Sequence, residues 1–297
     1  MKKLKGIIVP LVTPLENQDV IDFEGAKILL ERIIAGGASA AFLLGTTGEM
    51  QSLSMDTRYD FVSYMCRLAE GRIPVMVAVT ETSFTESVRF AQHAAECGAV
   101  AVVAAAPYYF SSSQKELKDW YLALADASPL PVYLYNMPSH VKVFLEVPLV
   151  RELAAHPNIV GLKDSSGNMT YFSKLLHHFK DTDFALYMGP EEQTAAAVMM
   201  GADGGVNGGA NMFPELYVAL YEAAVAGDLK AVKELQTKVM AVSAGVYDVA
   251  GGSSSYLRGL KCALGILGVC SDFVNLPYKA LDVDNRNVIK ANLKKLK

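Results

Sequence analysis

Cysteine is scarce in this chain: Cys66, Cys97, Cys262 and Cys270 are the whole complement among 297 residues. Four are too few for a disulfide framework at this length, and no Cys-x-x-Cys pair offers a zinc site. Long apolar runs are missing as well. None approaches the ~18 residues of a membrane span, because a glycine or a charge interrupts each one. The basic start, Met1 to Lys5, leads into Gly6–Pro14, which is too short for a signal-peptide core and lacks a small-residue cleavage site. There is no basic block either: 27 Lys and Arg stand against 31 Asp and Glu, a net charge of -4 that disfavours nucleic acid as a partner. Neither a GxGxxG nor a GxxxxGK[ST] nucleotide turn occurs, and there is no GxSxG elbow. Of the five histidines, His93, His156, His177 and His178 fall on helical stretches and His140 on a loop, so they form no ligand set and no metal is expected. These absences point to a reduced, cytoplasmic protein that binds neither membrane nor nucleic acid.

What the chain does have is apolar residues, 52% of the total, in a regular alternation. Short runs rich in Val and Ile recur at Gly6–Val12, Ser39–Leu44, Ile73–Val79, Ala99–Ala106, Pro131–Tyr135, Ile159–Lys163, Phe184–Met188 and Gly204–Asn207. Each is followed by a helix-like segment, at the spacing of one βα unit. Ser83-x-x-Glu86 and Ser113-x-x-Glu116 read as capping boxes, and Pro148, Pro190 and Pro214 suit first helical turns. Gly36-Gly37 and Gly98 stand where helices should end. Strands apolar on both faces and alternating with helices predict a closed parallel (β/α)8 barrel, an α/β fold. After residue 213 the strand signal stops, and Pro214–Ala226, Leu229–Ala244, Ser254–Leu267 and Asn285–Leu296 look helical. The reading is a barrel over residues 1–226 with a packed helical extension over 227–297.

In such barrels the chemistry gathers at the C-terminal ends of the strands. Lys163 alone among the lysines ends a strand-like run. A lysine carried into an apolar core loses solvation, which favours a neutral amine able to attack carbonyls. Equally, a strand-end lysine could simply pair with Asp164. Tyr135 ends the fifth run, where a phenol can shuttle protons or merely pack with its hydroxyl satisfied. The loop Gly45-Thr46-Thr47-Gly48-Glu49 after the second strand offers hydroxyls and backbone N–H groups for a carboxylate. Glu191 and Glu192 read either as first-turn acids that complement a helix dipole or as acceptors for substrate hydroxyls. Gly251–Ser255 is a flexible turn with a helix cap, or a loop that faces substrate.

Taken together, Gly45-Thr46-Thr47-Gly48-Glu49, Pro107-Tyr108-Tyr109, Tyr135-Asn136-x-Pro138 and Gly161-Leu162-Lys163-Asp164-Ser165-Ser166-Gly167 resemble the dihydrodipicolinate synthase/N-acetylneuraminate lyase family in order and spacing. The likeness reaches Leu260-Lys261-x-Ala263-Leu264 near the end of the chain. It implies a class I pyruvate-dependent aldolase, a carbon–carbon lyase with no cofactor beyond its own lysine imine. Lys163 would form the Schiff base, Tyr135 would shuttle the proton, and Thr46 and Thr47 would hold the carboxylate. Tyr109 would complete the relay from a neighbouring subunit of a homotetramer built as a dimer of dimers. Gly45, Ser165, Gly189, Glu191, Glu192, Val206 and His140 would border the substrate. The synthase branch carries an arginine after its Asn-x-Pro-Ser run, where this chain has His140 and then Val141 and Lys142; His cannot supply a bidentate fork. The lyase branch reads Gly-Ser-Thr-Gly at Gly45–Gly48 and has serine at Gly208, but it shares the acidic pair. The Lys-Asp-Ser-Ser-Gly form looks more like 2-keto-3-deoxy sugar acid aldolases. Cleavage of a hydroxylated 2-oxo acid to pyruvate and an aldehyde is therefore expected ahead of condensation of pyruvate with aspartate semialdehyde. A non-catalytic barrel that only binds pyruvate is the third alternative.

Overall fold

The computed structural model describes residues 3–296, so Met1 and Lys2 of the basic start lie outside the described residues. Strand β1 (Gly6–Pro10) opens the chain, and a short antiparallel hairpin of β2 (Leu15–Asn17) and β3 (Val20–Ile21) follows it. Then β4 (Ala40–Leu43), β5 (Val75–Ala78), β6 (Ala101–Ala105), β7 (Val132–Asn136), β8 (Ile159–Asp164), β9 (Ala185–Met188) and β10 (Gly204–Val206) alternate with helices. Those helices are α1 (Phe23–Ala35), α2 (Met55–Ala69), α3 (Phe84–Glu96), α4 (Gln114–Ala127), the single turn α5 (Pro138–Val141), α6 (Val147–Leu153), α7 (Met169–Phe179) and α8 (Glu191–Met199). Strand β1 pairs with both β4 and β10, which closes an eight-stranded barrel in which each neighbouring pair is parallel.

Every residue of β1, β4, β5, β6, β7, β9 and β10 is buried, since one face fills the barrel and the other lies under helices. That burial on both faces is why the strands were readable as continuous apolar runs. Helix entry follows the sequence signals with small differences. Ser113 and Glu116 form a reciprocal capping box, whereas Ser83 only accepts the Glu86 N–H. Pro214 stands at a first turn as its fixed φ allows, while Pro190 lies one residue earlier, at the N-cap of α8.

Helix α9 (Pro214–Ala226) completes the outer ring, and α10 (Leu229–Val242), α11 (Ser255–Ile266) and α12 (Val283–Leu296) follow with no further strand. Helix α10 runs into a π-helical turn, Ser243–Tyr247, that packs on α11. Among the described residues, no helix is long and apolar enough to cross a membrane.

Candidate active site

Tyr135 and Lys163 are register partners on adjacent strands β7 and β8. Because side chains alternate along a strand, both point into the barrel near its C-terminal end, and Asp164 points away. The Lys163 amine lies 4.1 Å from the centre of the Tyr135 ring and 5.3 Å from that of Phe42. The side chain is 7% exposed. Pairing with Asp164 is not what this lysine does. The Asp164 carboxylate instead accepts Asn136 Nδ2 at 2.8 Å and the Ser166 N–H and hydroxyl at 3.1 and 2.9 Å.

Above the lysine, the turn Thr46–Gly48 presents its hydroxyls. Thr46 Oγ1 is 3.3 Å from the Tyr135 hydroxyl, and Thr47 Oγ1 is 3.1 Å from that of Tyr256. Glu49, which follows the turn, and Leu44, two residues before it, are left-handed with φ of 57 and 56°. Such a conformation costs a non-glycine residue about 1–3 kcal/mol and survives only where the surroundings impose it. Burial raises the Tyr135 phenol, but the adjacent Lys163 charge and hydrogen bonds with Thr46, Ser165 and Lys163 outweigh it, so the net direction is down. A phenol that parts with its proton more readily than usual, beside an amine, suits proton transfer.

Two adjoining lobes open over this pair, one of about 370 Å3 and the other of about 380 Å3. They share Thr46, Tyr135, Met137 and His140, so together they form one mouth. Lys163 is the one Lys or Arg among the described residues that line them.

The comparisons with known proteins give the family. The model of the "Dihydrodipicolinate synthetase family" matches residues 3–296. The chain belongs to the dihydrodipicolinate synthetase family. It is 33% identical over 294 residues to the 4-hydroxy-tetrahydrodipicolinate synthase of Geobacter metallireducens, covering 98% of both chains. It is 31% identical to the N-acetylneuraminate lyase of Rhizobium meliloti, covering 94% of this chain and 91% of that one. Among solved structures, dihydrodipicolinate synthase from Bacteroides thetaiotaomicron superposes with a TM-score of 0.96 at 50% identity, covering 99% of each chain. The chloride-inhibited synthase from Acinetobacter baumannii, complexed with pyruvate, superposes with a TM-score of 0.92 at 29% identity over 99% of each chain.

Most residues singled out in the sequence lie together at this mouth. Thr47, Ser165, Gly189, Glu191, Glu192, Val206 and His140 line the lobe above Lys163, and Gly45 lines the other. Tyr109 is not with them. It is 73% exposed, packed only edge-on against Phe110 at 5.2 Å, and the single chain leaves it outside both lobes. Glu191 reaches the lobe but is not free to receive substrate hydroxyls. The hydroxyls of Tyr217 and Tyr247 and the Gly209 N–H, at 2.6 Å, already donate to its two oxygens. Burial pushes its carboxyl up to about 7 against those donors. Glu192 is exposed and accepts the Ser243 hydroxyl at 2.6 Å.

His140 lies within the short turn α5, with Nδ1 3.0 Å from the Ser139 hydroxyl. Burial, and then the Lys163 charge, lower its pKa, which leaves the ring neutral near pH 7. Ser253 and Ser254 line the lobe, so the Gly251–Ser255 stretch faces the site. The sequence reading missed Tyr256 and the pair Glu49–Lys261. A lysine inside the apolar helical run Leu260–Leu264 was the available signal for that pair.

Proposed function

We propose that the protein is a class I, Schiff-base-forming aldolase in which Lys163 binds the keto carbon of pyruvate or of a 2-oxo acid. The observation that carries this is the amine of Lys163, buried and unpaired with any carboxylate among the described residues, against the Tyr135 ring beneath the Thr46–Thr47 turn. The amine adds to C2 of the keto acid, and Tyr135 delivers a proton to the departing oxygen, so that water leaves and an imine remains. The protonated imine draws electrons from C3, whose proton is lost to give an enamine. The enamine carbon attacks an aldehyde, whose oxygen takes up a proton. Hydrolysis then releases product and regenerates the amine. Run backwards, the same steps cleave the C3–C4 bond. The hydroxyls and N–H groups of Thr46 and Thr47 hold the carboxylate throughout.

For the aldehyde, the names of the relatives favour the alternative over the order expected from sequence. The synthase name carried by the Geobacter relative and by the Bacteroides structure, the latter 50% identical, supports condensation of pyruvate with aspartate semialdehyde as the first reading. Two features of the site weigh the same way. Glu191 is already occupied by tyrosines, and the Tyr256 hydroxyl stands where a Gly208 side chain would go, 1.7 Å from that position, so a lyase-type serine has no room.

One observation favours the second reading, cleavage of a 2-keto-3-deoxy sugar acid or of N-acetylneuraminate. No arginine lines either lobe among the described residues, and His140 is neutral near pH 7, so the carboxylate of aspartate semialdehyde meets no charged fork. Comparing kcat/KM for that condensation with cleavage of 2-keto-3-deoxygluconate and N-acetylneuraminate separates the two. The synthase reading predicts condensation at least ~10-fold more efficient than either cleavage, the equivalent of ~1.4 kcal/mol. The reverse ratio would instate the lyase reading.

A further inference from the structure

Two links tie the turn Thr46–Glu49 to one helix of the C-terminal extension. Near the start of α11, the Tyr256 hydroxyl lies 3.1 Å from that of Thr47. Its ring packs edge-on against Tyr247, with centroids 4.8 Å apart, and Gly208 leaves the space that the hydroxyl fills. Burial pushes the Tyr256 phenol up, so it keeps its proton. Further along the same helix, Lys261 forms an ion pair with Glu49, and both side chains are fully buried. The Lys261 amine also donates to the Phe273 carbonyl at 2.8 Å, and the Asn275 N–H donates to the other Glu49 oxygen at 3.1 Å.

None of these groups has a part in the imine steps. A buried ion pair is also a weak source of stability, because the desolvation of both charges offsets their attraction. What the pair does accomplish is geometric. Glu49 is held in its left-handed conformation, immediately after the two threonines, by a helix more than two hundred residues away in sequence.

We propose that Tyr256 and Lys261 are positioning residues, through which α11 holds the Thr46–Glu49 turn in the shape that grips the pyruvate carboxylate. The proposal rests on the reading of that turn as the carboxylate grip. It makes the C-terminal extension a determinant of pyruvate affinity, acting through Thr47 and Glu49 without touching the reacting atoms.

The test is the pyruvate concentration that gives half-maximal borohydride trapping on Lys163. Tyr256→Phe keeps the ring and removes only the hydroxyl. It is expected to raise that concentration about threefold to tenfold, the loss of one net hydrogen bond, and to change the trapping rate at saturation far less. In a Thr47→Ala background the same substitution should add no further shift, because the two hydroxyls act as a unit. Lys261→Met leaves Glu49 buried without its partner and should shift half-saturation in the same direction while lowering the melting temperature. If that variant does not fold, Tyr256→Phe decides alone. Unchanged half-saturation in Tyr256→Phe, or a shift that adds in full to that of Thr47→Ala, overturns the proposal while trapping still upholds the imine. No adduct in the unsubstituted protein overturns both.

Discussion

Lys163→Ala is expected to bring turnover down to the uncatalysed background while the barrel stays folded. The amine is the only one among the described residues lining the mouth that can form an imine with a keto carbon, and no neighbouring lysine is there to replace it. Its loss removes the covalent route altogether, so the effect exceeds that of any single hydrogen bond. The fold should survive, because Lys163 makes no ion pair among the described residues and its β8 backbone keeps its pairing with β7 and β9. The substitution leaves a cavity among Phe42, Tyr133 and Tyr187, a cost partly offset by no longer burying an amine. Circular dichroism and a melting curve, taken beside the activity assay, separate lost chemistry from lost structure.

Tyr135→Phe should lower kcat by roughly 10²–10⁴, the range for a positioned acid–base group. The phenol is held in place by Thr46 at 3.3 Å and drawn toward ionisation by Lys163, and phenylalanine keeps the ring that packs on the lysine. The loss should therefore fall on kcat more than on KM. Imine formation should slow as well, since the same phenol helps expel water from the carbinolamine. Turnover like that of the unsubstituted enzyme would return Tyr135 to a packing role and require another proton carrier.

The barrel was legible in the sequence because parallel strands buried on both faces write themselves as apolar runs, as Ala101–Ala105 and Val132–Asn136 do. The hairpin Leu15–Asn17 with Val20–Ile21 was not, since its two short strands are half exposed and show no such run. Lys163 and Tyr135 stood out through their strand-end positions, and the closed barrel then made them neighbours. Tyr256 left no local trace: the partner of its hydroxyl is 209 residues away, and only the packing of α11 brings them together. Glu191 shows the converse. The sequence offered an acid at a helix start near the mouth, but not the tyrosines from α9 and the π-helical turn that occupy it.

The most direct test of the account is reduction with borohydride in the presence of pyruvate, followed by peptide mass mapping. The predicted result is one pyruvate-derived adduct per chain, on Lys163, dependent on both reagents and absent from Lys163→Ala. An adduct on Lys142 or another lysine, or none at all under conditions of turnover, would contradict the central claim that this buried amine carries the reaction.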